Sequence, residues 1–382
     1  MEENVINKFK CTGCGACYSI CPKNAIEMKA DEEGFLYPYI DNTKCVHCEL
    51  CKNICPVINE KIKKNNQPET IAAYTKNEKE RKNSSSGGIF YEMAKYIINQ
   101  GGVVIGASYN ENMEVIHKSI CRENEINLLQ GSKYVQSNTL DTFKQTKELL
   151  ENKQKVLYVG TPCQIAGVNA YLKKNYDSLY TCDLVCHGAP SPKVWKKYIE
   201  EKQKNKKIIN YFFRNKTKGW NNYGVKICYY DGKKIFIDSY KDEFFKLFIK
   251  NYSLRNSCYS CNFSKIPREA DISLGDFWGV EGKYNEFKDN KGTSLVLINN
   301  KKGKELFENI SVNLNYKEKC DLNYAIKCNP CINSSVAKPG KREEFFNDLE
   351  NKNFKQLIKK YIPKERRIAR RIIGKIYKIV KK

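Results

Sequence analysis

The chain reads as an α/β protein (α+β when its parts are taken together) with a small cysteine-rich unit at its N-terminus. Three observations lead there. Eight of the 18 cysteines fall within the first 55 residues, in one spacing written twice. From residue 71 onward, apolar runs of strand length alternate with helical patterns. Residues 208–240 then switch to closely spaced alternating runs that suit antiparallel hairpins.

The N-terminal unit covers residues 1–58. Cys11, Cys14, Cys17 and Cys21-Pro22 spell C-x2-C-x2-C-x3-C-P, and Cys45, Cys48, Cys51 and Cys55-Pro56 repeat it 34 residues later. This is the run of bacterial two-cluster ferredoxins, in which three thiolates of each run hold one 4Fe–4S cubane and the fourth reaches across to the other. The close spacing lets one loop wrap three corners of a cubane, and the proline fixes the backbone after the fourth cysteine. One cluster is therefore expected on Cys11, Cys14, Cys17 and Cys55, and a second on Cys45, Cys48, Cys51 and Cys21. Structural zinc uses two pairs with a longer spacer. Disulfides need export, and residues 1–10 show no apolar stretch of a signal peptide. Between the runs, residues 25–28 alternate like a strand, and residues 31–41 frame another short apolar run with turn signals.

Residues 59–70 are polar, charged and contain Pro68, which marks a linker. The main domain follows in two parts, residues 71–155 and 156–345. Ser84 to Gly88 precede a helical pattern with Phe90, Met93, Ala94, Ile97 and Ile98 on one face, stopped by Gly101-Gly102. Residues 103–105 form a buried-strand run, residues 141–154 a helix, and residues 156–159 a second apolar strand. Gly160-Thr161-Pro162-Cys163 turns straight into a helix, with Thr161 as its N-cap and Pro162 in its first position. Residues 179–185 give another strand and residues 193–202 another helix. Strands alternating with helices imply a largely parallel sheet with ligands at the strand C-termini.

Composition excludes several classes. No stretch approaches the roughly 18–20 apolar residues that span a bilayer. Eighteen cysteines without an export signal suit a reducing cytoplasm. The net charge of +24 is spread along the chain, and no nucleic-acid recognition motif accompanies it, so no nucleic-acid partner is expected.

A third cysteine set lies downstream. Cys163 sits at a strand-to-helix turn, where free amides and the helix dipole favour a thiolate. Cys186 ends the next strand, and neighbouring parallel strands end on one sheet edge. Cys258 and Cys261 add a C-x2-C pair. Two plus two completes a four-thiolate site, for a third cluster or for zinc. Cys182 reads as an ordinary buried thiol. Cys320, Cys328 and Cys331 lack a fourth ligand and read as free thiols.

Six motifs occur in order: Ser84-Ser85-Ser86-Gly87-Gly88; Gly131-Ser132-Lys133-Tyr134-Val135-Gln136-Ser137; Gly160-Thr161-Pro162-Cys163-Gln164; Cys182-Asp183-Leu184-Val185-Cys186-His187-Gly188; the Cys258/Cys261 pair; and residues 271–279 (DISLGDFWG). In these the chain resembles the coenzyme F(420) hydrogenase/dehydrogenase beta-subunit family, in the bacterial branch with a fused two-cluster 4Fe–4S ferredoxin domain. The likeness spans roughly residues 1–345. It implies an oxidoreductase that binds FAD and an extra 4Fe–4S cluster and exchanges a hydride with a deazaflavin coenzyme or another carrier. It implies Cys163, Cys186, Cys258 and Cys261 as ligands of that cluster. It also implies electron exchange with a redox partner protein or small hydride carrier, and a setting in surface-polysaccharide synthesis. A rival reading is a ferredoxin-like protein that delivers electrons and has no substrate of its own.

The residues themselves suit a flavin. Ser84, Ser85, Ser86, Gly87 and Gly88 offer hydroxyls, close backbone approach and a helix N-terminus to a phosphate; a capped helix with a tight turn is the alternative. In Gly131, Ser132, Lys133 and Tyr134, the lysine suits a pyrophosphate or anionic reduced flavin and the tyrosine a stacked ring. A solvated lysine is the alternative there. Thr161 and Gln164 flank Cys163 within reach of a flavin edge. Asp276 and Trp278 read as structural.

Residues 346–382 form a basic tail. On a helical wheel from Lys364, Ile368, Ala369, Ile372, Ile373, Ile376, Ile379 and Val380 share one side. Arg367, Arg370, Arg371, Lys375, Lys378, Lys381 and Lys382 share the other. Such a helix suits either an anionic membrane surface, at the inner face of the membrane, or packing on protein.

Overall fold

The computed structural model describes residues 5–59, 67–204 and 206–362. The cysteine runs feed two short helices, Ala16–Ile20 and Leu50–Asn53. Between them β1 (Ile26–Ala30) and β2 (Leu36–Ile40) form an antiparallel hairpin, with Ile26 opposite Ile40 and Ala30 opposite Leu36.

The next strands are β3 (Glu69–Thr75), β4 (Val103–Tyr109), β5 (Val115–Ile120), β6 (Val156–Gly160) and β7 (Leu179–Leu184). Then come β8 (Ile208–Asn215), β9 (Gly224–Tyr229), β10 (Lys234–Asp238), β11 (Ile272–Asp276), β12 (Ser294–Ile298) and β13 (Leu314–Lys317). Eight of them make one sheet in the order β13-β3-β12-β11-β7-β6-β4-β5. Its middle is parallel, β4 with β6, β6 with β7, and β7 with β11. Its flanks are antiparallel, β4 with β5 on one side and β11, β12, β3 and β13 on the other. The expected parallel sheet is thus confined to four strands. The reason is local on one flank: Asn110 Oδ1 accepts from the amides of Asn112 and Glu114 and closes a tight hairpin, which only antiparallel strands can use.

Alternation along β6 divides the two faces. Leu157 and Val159 pack with helices Ile89–Asn99 and Lys301–Ser311, through Met93, Ile97, Leu306 and Ile310. Val156 and Tyr158 face the other way, onto helices Thr142–Glu151 and Pro162–Leu172, through Phe143, Ile165 and Val168. Cys14, Ala16 and Ile54 of the N-terminal unit join this second layer. Covering both faces of a sheet is what makes its central strands read as unbroken apolar runs.

β8, β9 and β10 form the antiparallel three-stranded piece expected of residues 208–240. It packs with helices Pro192–Gln203, Glu243–Ile249, Arg342–Asn351 and Phe354–Tyr361, and with Phe35 and Tyr37 of the N-terminal unit. The buried side chains of the last two helices include Phe345, Phe346, Leu349, Phe354, Leu357 and Tyr361, so this part of the basic segment packs on protein. Residues 363–382, where the basic amphipathic face was expected, lie outside the described residues. Among the described residues no helix is long and apolar enough to cross a membrane.

Candidate functional site

Both N-terminal runs wrap a hollow. Cys11, Cys14, Cys17 and Cys55 line one, together with Gly13, Gly15 and Ala16. Cys21, Cys45, Cys48 and Cys51 line the other, under Pro22, Ile26 and Ile40. The fourth cysteine of each run crosses to its neighbour, as the spacing predicts. The repeat is also written in the backbone. Gly13 and Gly15 take positive φ of 70° and 85°, and His47 and Glu49, each 34 residues on, take 52° and 57°. Left-handed backbone is costly for non-glycine residues, so the second loop keeps the first loop's shape at some expense.

Burial pushes the Cys14 thiol up to about 12, and Cys11 and Cys55 nearby push the same way. Cys17 is held well above its usual value by burial and then by Cys14, Cys11 and Cys55. Crowded buried thiols keep their protons unless a positive centre replaces them, and iron is such a centre. Among the described residues no group of three or more His, Cys, Asp or Glu is placed to hold a single metal ion. A closed zinc site would bring thiolates to about 3.8 Å of one another, from Zn–S bonds of about 2.3 Å. The quartets fit the wider corners of a cubane.

The third quartet comes from three chain segments. Cys163 lies in the first turn of helix Pro162–Leu172, directly after β6. Cys186 lies two residues past β7, and β6 and β7 are parallel neighbours. Cys258 sits in the 3-10 turn Asn256–Ser260, and Cys261 follows that turn. Burial drives the Cys186 pKa well up, and Cys258, Cys163 and Cys261 all act on it from close range. Cys163 is raised likewise, by burial first and then by Cys261. Thr161 Oγ1 lies 3.2 Å from Cys163 Sγ, and the Ala189 amide donates to Cys258 Sγ at 3.3 Å. Cys182 is buried in the sheet core, the plain role expected of it. Cys331 Sγ lies 3.6 Å from His187 Nδ1, a neighbour that the spacing did not reveal.

The two serine-bearing loops expected at a flavin meet. The Ser132 amide donates to Ser85 Oγ at 2.8 Å, and the two hydroxyls lie 2.9 Å apart. Gln130 Nε2 donates to Ser84 Oγ, and Ser86 Oγ donates to the Thr293 carbonyl. Gly87 is required by packing: a Cβ there would stand 2.4 Å from the Ala73 carbonyl oxygen on β3. Gly88, at φ 89°, caps helix Ile89–Asn99. The capped-helix alternative therefore accounts for both glycines. Gln164 Oε1 accepts from the Thr161 amide at 2.9 Å, and its Nε2 donates to Ser137 Oγ at 2.9 Å, so Gln164 is turned inward.

Lys133 is not a solvated lysine. Its Nζ donates to the carbonyls of Leu129, Gln130 and Gly131, and burial pushes its pKa down to about 7. Tyr134 stacks on Phe248 with ring centres 4.7 Å apart. Its hydroxyl accepts from Arg214 Nη1 at 3.3 Å.

Arg214 was not legible in the sequence. It sits on β8 and donates to both carboxylate oxygens of Asp276, at 2.7 and 3.1 Å, where β11 ends. Its guanidinium lies 4.0 Å from the Tyr223 ring and 4.9 Å from that of Trp278, which stacks on Trp220. Lys216, two residues on, donates to the carbonyls of Arg81, Ser86 and Lys291, and burial lowers its pKa to about 7. Arg214 Nε, the Thr293 hydroxyl and the Tyr109 hydroxyl are buried without a partner. Each adjoins an expected flavin residue: Tyr134, Ser86 and Lys133 respectively. Unpaired buried polar groups beside an ammonium fit an anionic group.

Comparison with known proteins adds the family. Residues 153–320 match the family described as the C terminus of the coenzyme F(420) hydrogenase/dehydrogenase beta subunit, and residues 10–59 match the 4Fe-4S dicluster domain. The chain belongs to the coenzyme F(420) hydrogenase/dehydrogenase beta-subunit family. This beta-subunit relative is an iron–sulfur electron-transfer protein with a dicluster unit at its N-terminus. It is 24% identical over 363 residues to an uncharacterized protein, MJ1349, of Methanocaldococcus jannaschii, covering 84% of this chain and 93% of that one. An uncharacterized ferredoxin, MJ0722, of the same organism is 43% identical over 37 residues, 10% of this chain and 48% of its own. Among solved structures, a chain of the F(420)-reducing nickel–iron hydrogenase complex from Methanosarcina barkeri, in a xenon derivative, superposes with a TM-score of 0.47 and 18% identity. It covers 71% of this chain and 92% of its own. Cys163, Cys186, Cys258, Cys261 and Asp276 fall inside the matched region; Ser84 to Gly88 and Gly131 to Tyr134 precede it.

Proposed function

We propose that this protein is an iron–sulfur flavoprotein oxidoreductase in which hydride chemistry at FAD is linked to a third 4Fe–4S cluster and, through it, to the dicluster unit. The observation that carries this reading is the convergence of Cys163, Cys186, Cys258 and Cys261 at one sheet edge, next to the loops of Ser85 and Ser132. A bound flavin supplies the conversion between a two-electron hydride and single electrons, and the clusters carry one electron each. The chain's own residues hold and shield. Lys133, with carbonyls but no carboxylate around its Nζ, has charge to offer a pyrophosphate or an anionic ring. Ser85 and Ser132 bring hydroxyls to the same place. Arg214 is held by Asp276 and keeps Nε free for an acceptor. Thr161 sits between the Cys163 sulfur and the Gln164 side chain, and so fixes the cluster side of the site. The hydride carrier, deazaflavin-type or another, is left to experiment.

Anaerobic purification followed by iron, sulfide and flavin analysis tests the proposal. It expects bound FAD and about twelve iron atoms per chain, from three four-iron clusters. Cys163→Ser should bring the count to about eight while the dicluster unit stays loaded. Eight iron atoms and no flavin in the unaltered protein would defeat the proposal and leave an electron-delivery protein in its place.

A further inference from the structure

The two N-terminal quartets differ in their surroundings. Cys11 and Cys14 are buried, whereas Cys48 is exposed and flanked by the exposed Val46, His47 and Glu49. The Cys11–Cys14 loop is pressed against helix Pro162–Leu172. A Cβ at Gly167 would stand 3.0 Å from Cys14 Cβ and 3.1 Å from Cys14 Sγ. Gly167 is four residues after Cys163, so the two lie one above the other on the same face of that helix. Cys14 in turn is near enough to act electrostatically on the Cys163 thiol.

The same loop is held from other sides. Thr139 Oγ1 donates to the Cys14 carbonyl at 3.3 Å. Arg255 Nε donates to the Cys11 carbonyl at 2.7 Å, and the Arg255 carbonyl accepts from the Cys258 amide at 3.0 Å. The first quartet is thus bonded, residue to residue, to the segments that carry the third. Glycine inside a helix costs about 0.5–1 kcal/mol relative to alanine, so its place here calls for a reason. The seat of Cys14 supplies one.

We propose that Gly167 is a positioning residue for electron transfer: lacking a side chain, it seats Cys14 against the helix of Cys163. The cluster on Cys11, Cys14, Cys17 and Cys55 is then the one that exchanges electrons with the third. The cluster on Cys21, Cys45, Cys48 and Cys51 is the outer member of the relay. This inference rests on the third quartet holding a cluster, as proposed above. Each step moves one electron from a reduced cluster to an oxidised one, with no bond made or broken.

The test is electron paramagnetic resonance on the full, cluster-loaded chain, reduced anaerobically with dithionite. Neighbouring reduced clusters broaden and split each other's signals. Cys48→Ser, with iron down by one cluster, should keep the interaction between the first and third clusters. Cys17→Ser should remove it and leave the third cluster with an isolated signal. Gly167→Val should weaken the interaction while iron stays at the level of the unaltered protein. Loss of the interaction in Cys48→Ser but not in Cys17→Ser would overturn the order, and an unchanged spectrum in a fully loaded Gly167→Val would overturn the role of Gly167. Eight iron atoms in the unaltered chain would instead strike at the third cluster itself. Should Gly167→Val not fold, the two cysteine variants still decide the order.

Discussion

Arg255 offers the sharpest test of how the dicluster unit is fastened. Its side chain is 1% exposed, and it donates to the Cys11 carbonyl at 2.7 Å, Gln136 Oε1 at 3.1 Å and the Leu36 carbonyl at 3.0 Å. The guanidinium also lies 4.0 Å from the Tyr37 ring. Arg255→Met keeps most of the volume and removes every donor. A hydrogen bond from a charged donor contributes about 1.5–3 kcal/mol, and three are lost, which sets a ceiling near 9 kcal/mol. The loss stops well short of that, because an undocked loop returns its carbonyls to water. We expect the docking to weaken by about 3–4 kcal/mol, and each 1.4 kcal/mol is a factor of ten. Opening of the contact should therefore become about a hundred- to a thousandfold more frequent. Anaerobic amide hydrogen exchange reads this directly at residues 11–17 and 36–40 of the loaded protein. Protection within threefold of the original, at equal iron content, would refute the fastening role.

Two further outcomes concern buried bases. His117 is 2% exposed, contacts the Val159 carbonyl at 3.1 Å and the Ser137 hydroxyl at 3.0 Å, and burial pushes its pKa down to about 4. The unfolded chain thus binds the extra proton between pH 6.5 and 4, so this stability is complete above pH 6.5 and drains as pH falls, by at most about 3 kcal/mol. His117→Gln should flatten that acid limb in melts at pH 7 and 4.5; parallel losses in both proteins would count against it. Lys133, with its pKa near 7, is mostly neutral at pH 8, and an anionic group beside it would raise that value. FAD titrated calorimetrically at pH 8 in two buffers of different ionisation enthalpy should take up most of a proton. Lys133→Met should abolish the uptake and Lys216→Met should keep it, because the Lys216 Nζ is engaged by three carbonyls elsewhere. Equal uptake in Lys133→Met would remove Lys133 from the site.

What the sequence disclosed follows from how each feature is encoded. Cluster cysteines are tied to one another by spacing, so Cys11 to Cys55 were legible, crossover included. The third quartet was legible because β6 and β7 are consecutive in chain and sheet, which puts Cys163 and Cys186 on one edge. Arg214 and Arg255 carry no such signature: each is one basic residue among 67, and its role depends on partners 62 and 244 residues away. Gly167 did leave a trace, as a lone glycine inside a helical pattern, which marks close packing when it persists. The glycines after Ser86 misled in the other direction. They suggested a phosphate loop, and packing against β3 accounts for them. The antiparallel flanks stayed hidden because a buried apolar strand looks the same in either direction.

The sheet explains why the site lies where it does. Only four strands run parallel, and the C-terminal ends of three of them, β6, β7 and β11, lead to Cys163, Cys186 and Asp276. A crevice outside the carboxyl ends of parallel strands is where open α/β sheets bind ligands. Antiparallel pairing on either flank points alternate strand ends away from that edge, so it limits the site to the middle of the sheet. The third quartet and the Arg214–Asp276 pair share that limited edge, while the Cys11–Cys14 loop meets the helix that leaves it. An electron path that begins at this edge has one short way into the N-terminal unit, along helix Pro162–Leu172 from Cys163 to Gly167. The fused unit replaces a diffusing carrier with a fixed contact, which is why a single missing methyl group at residue 167 carries functional weight.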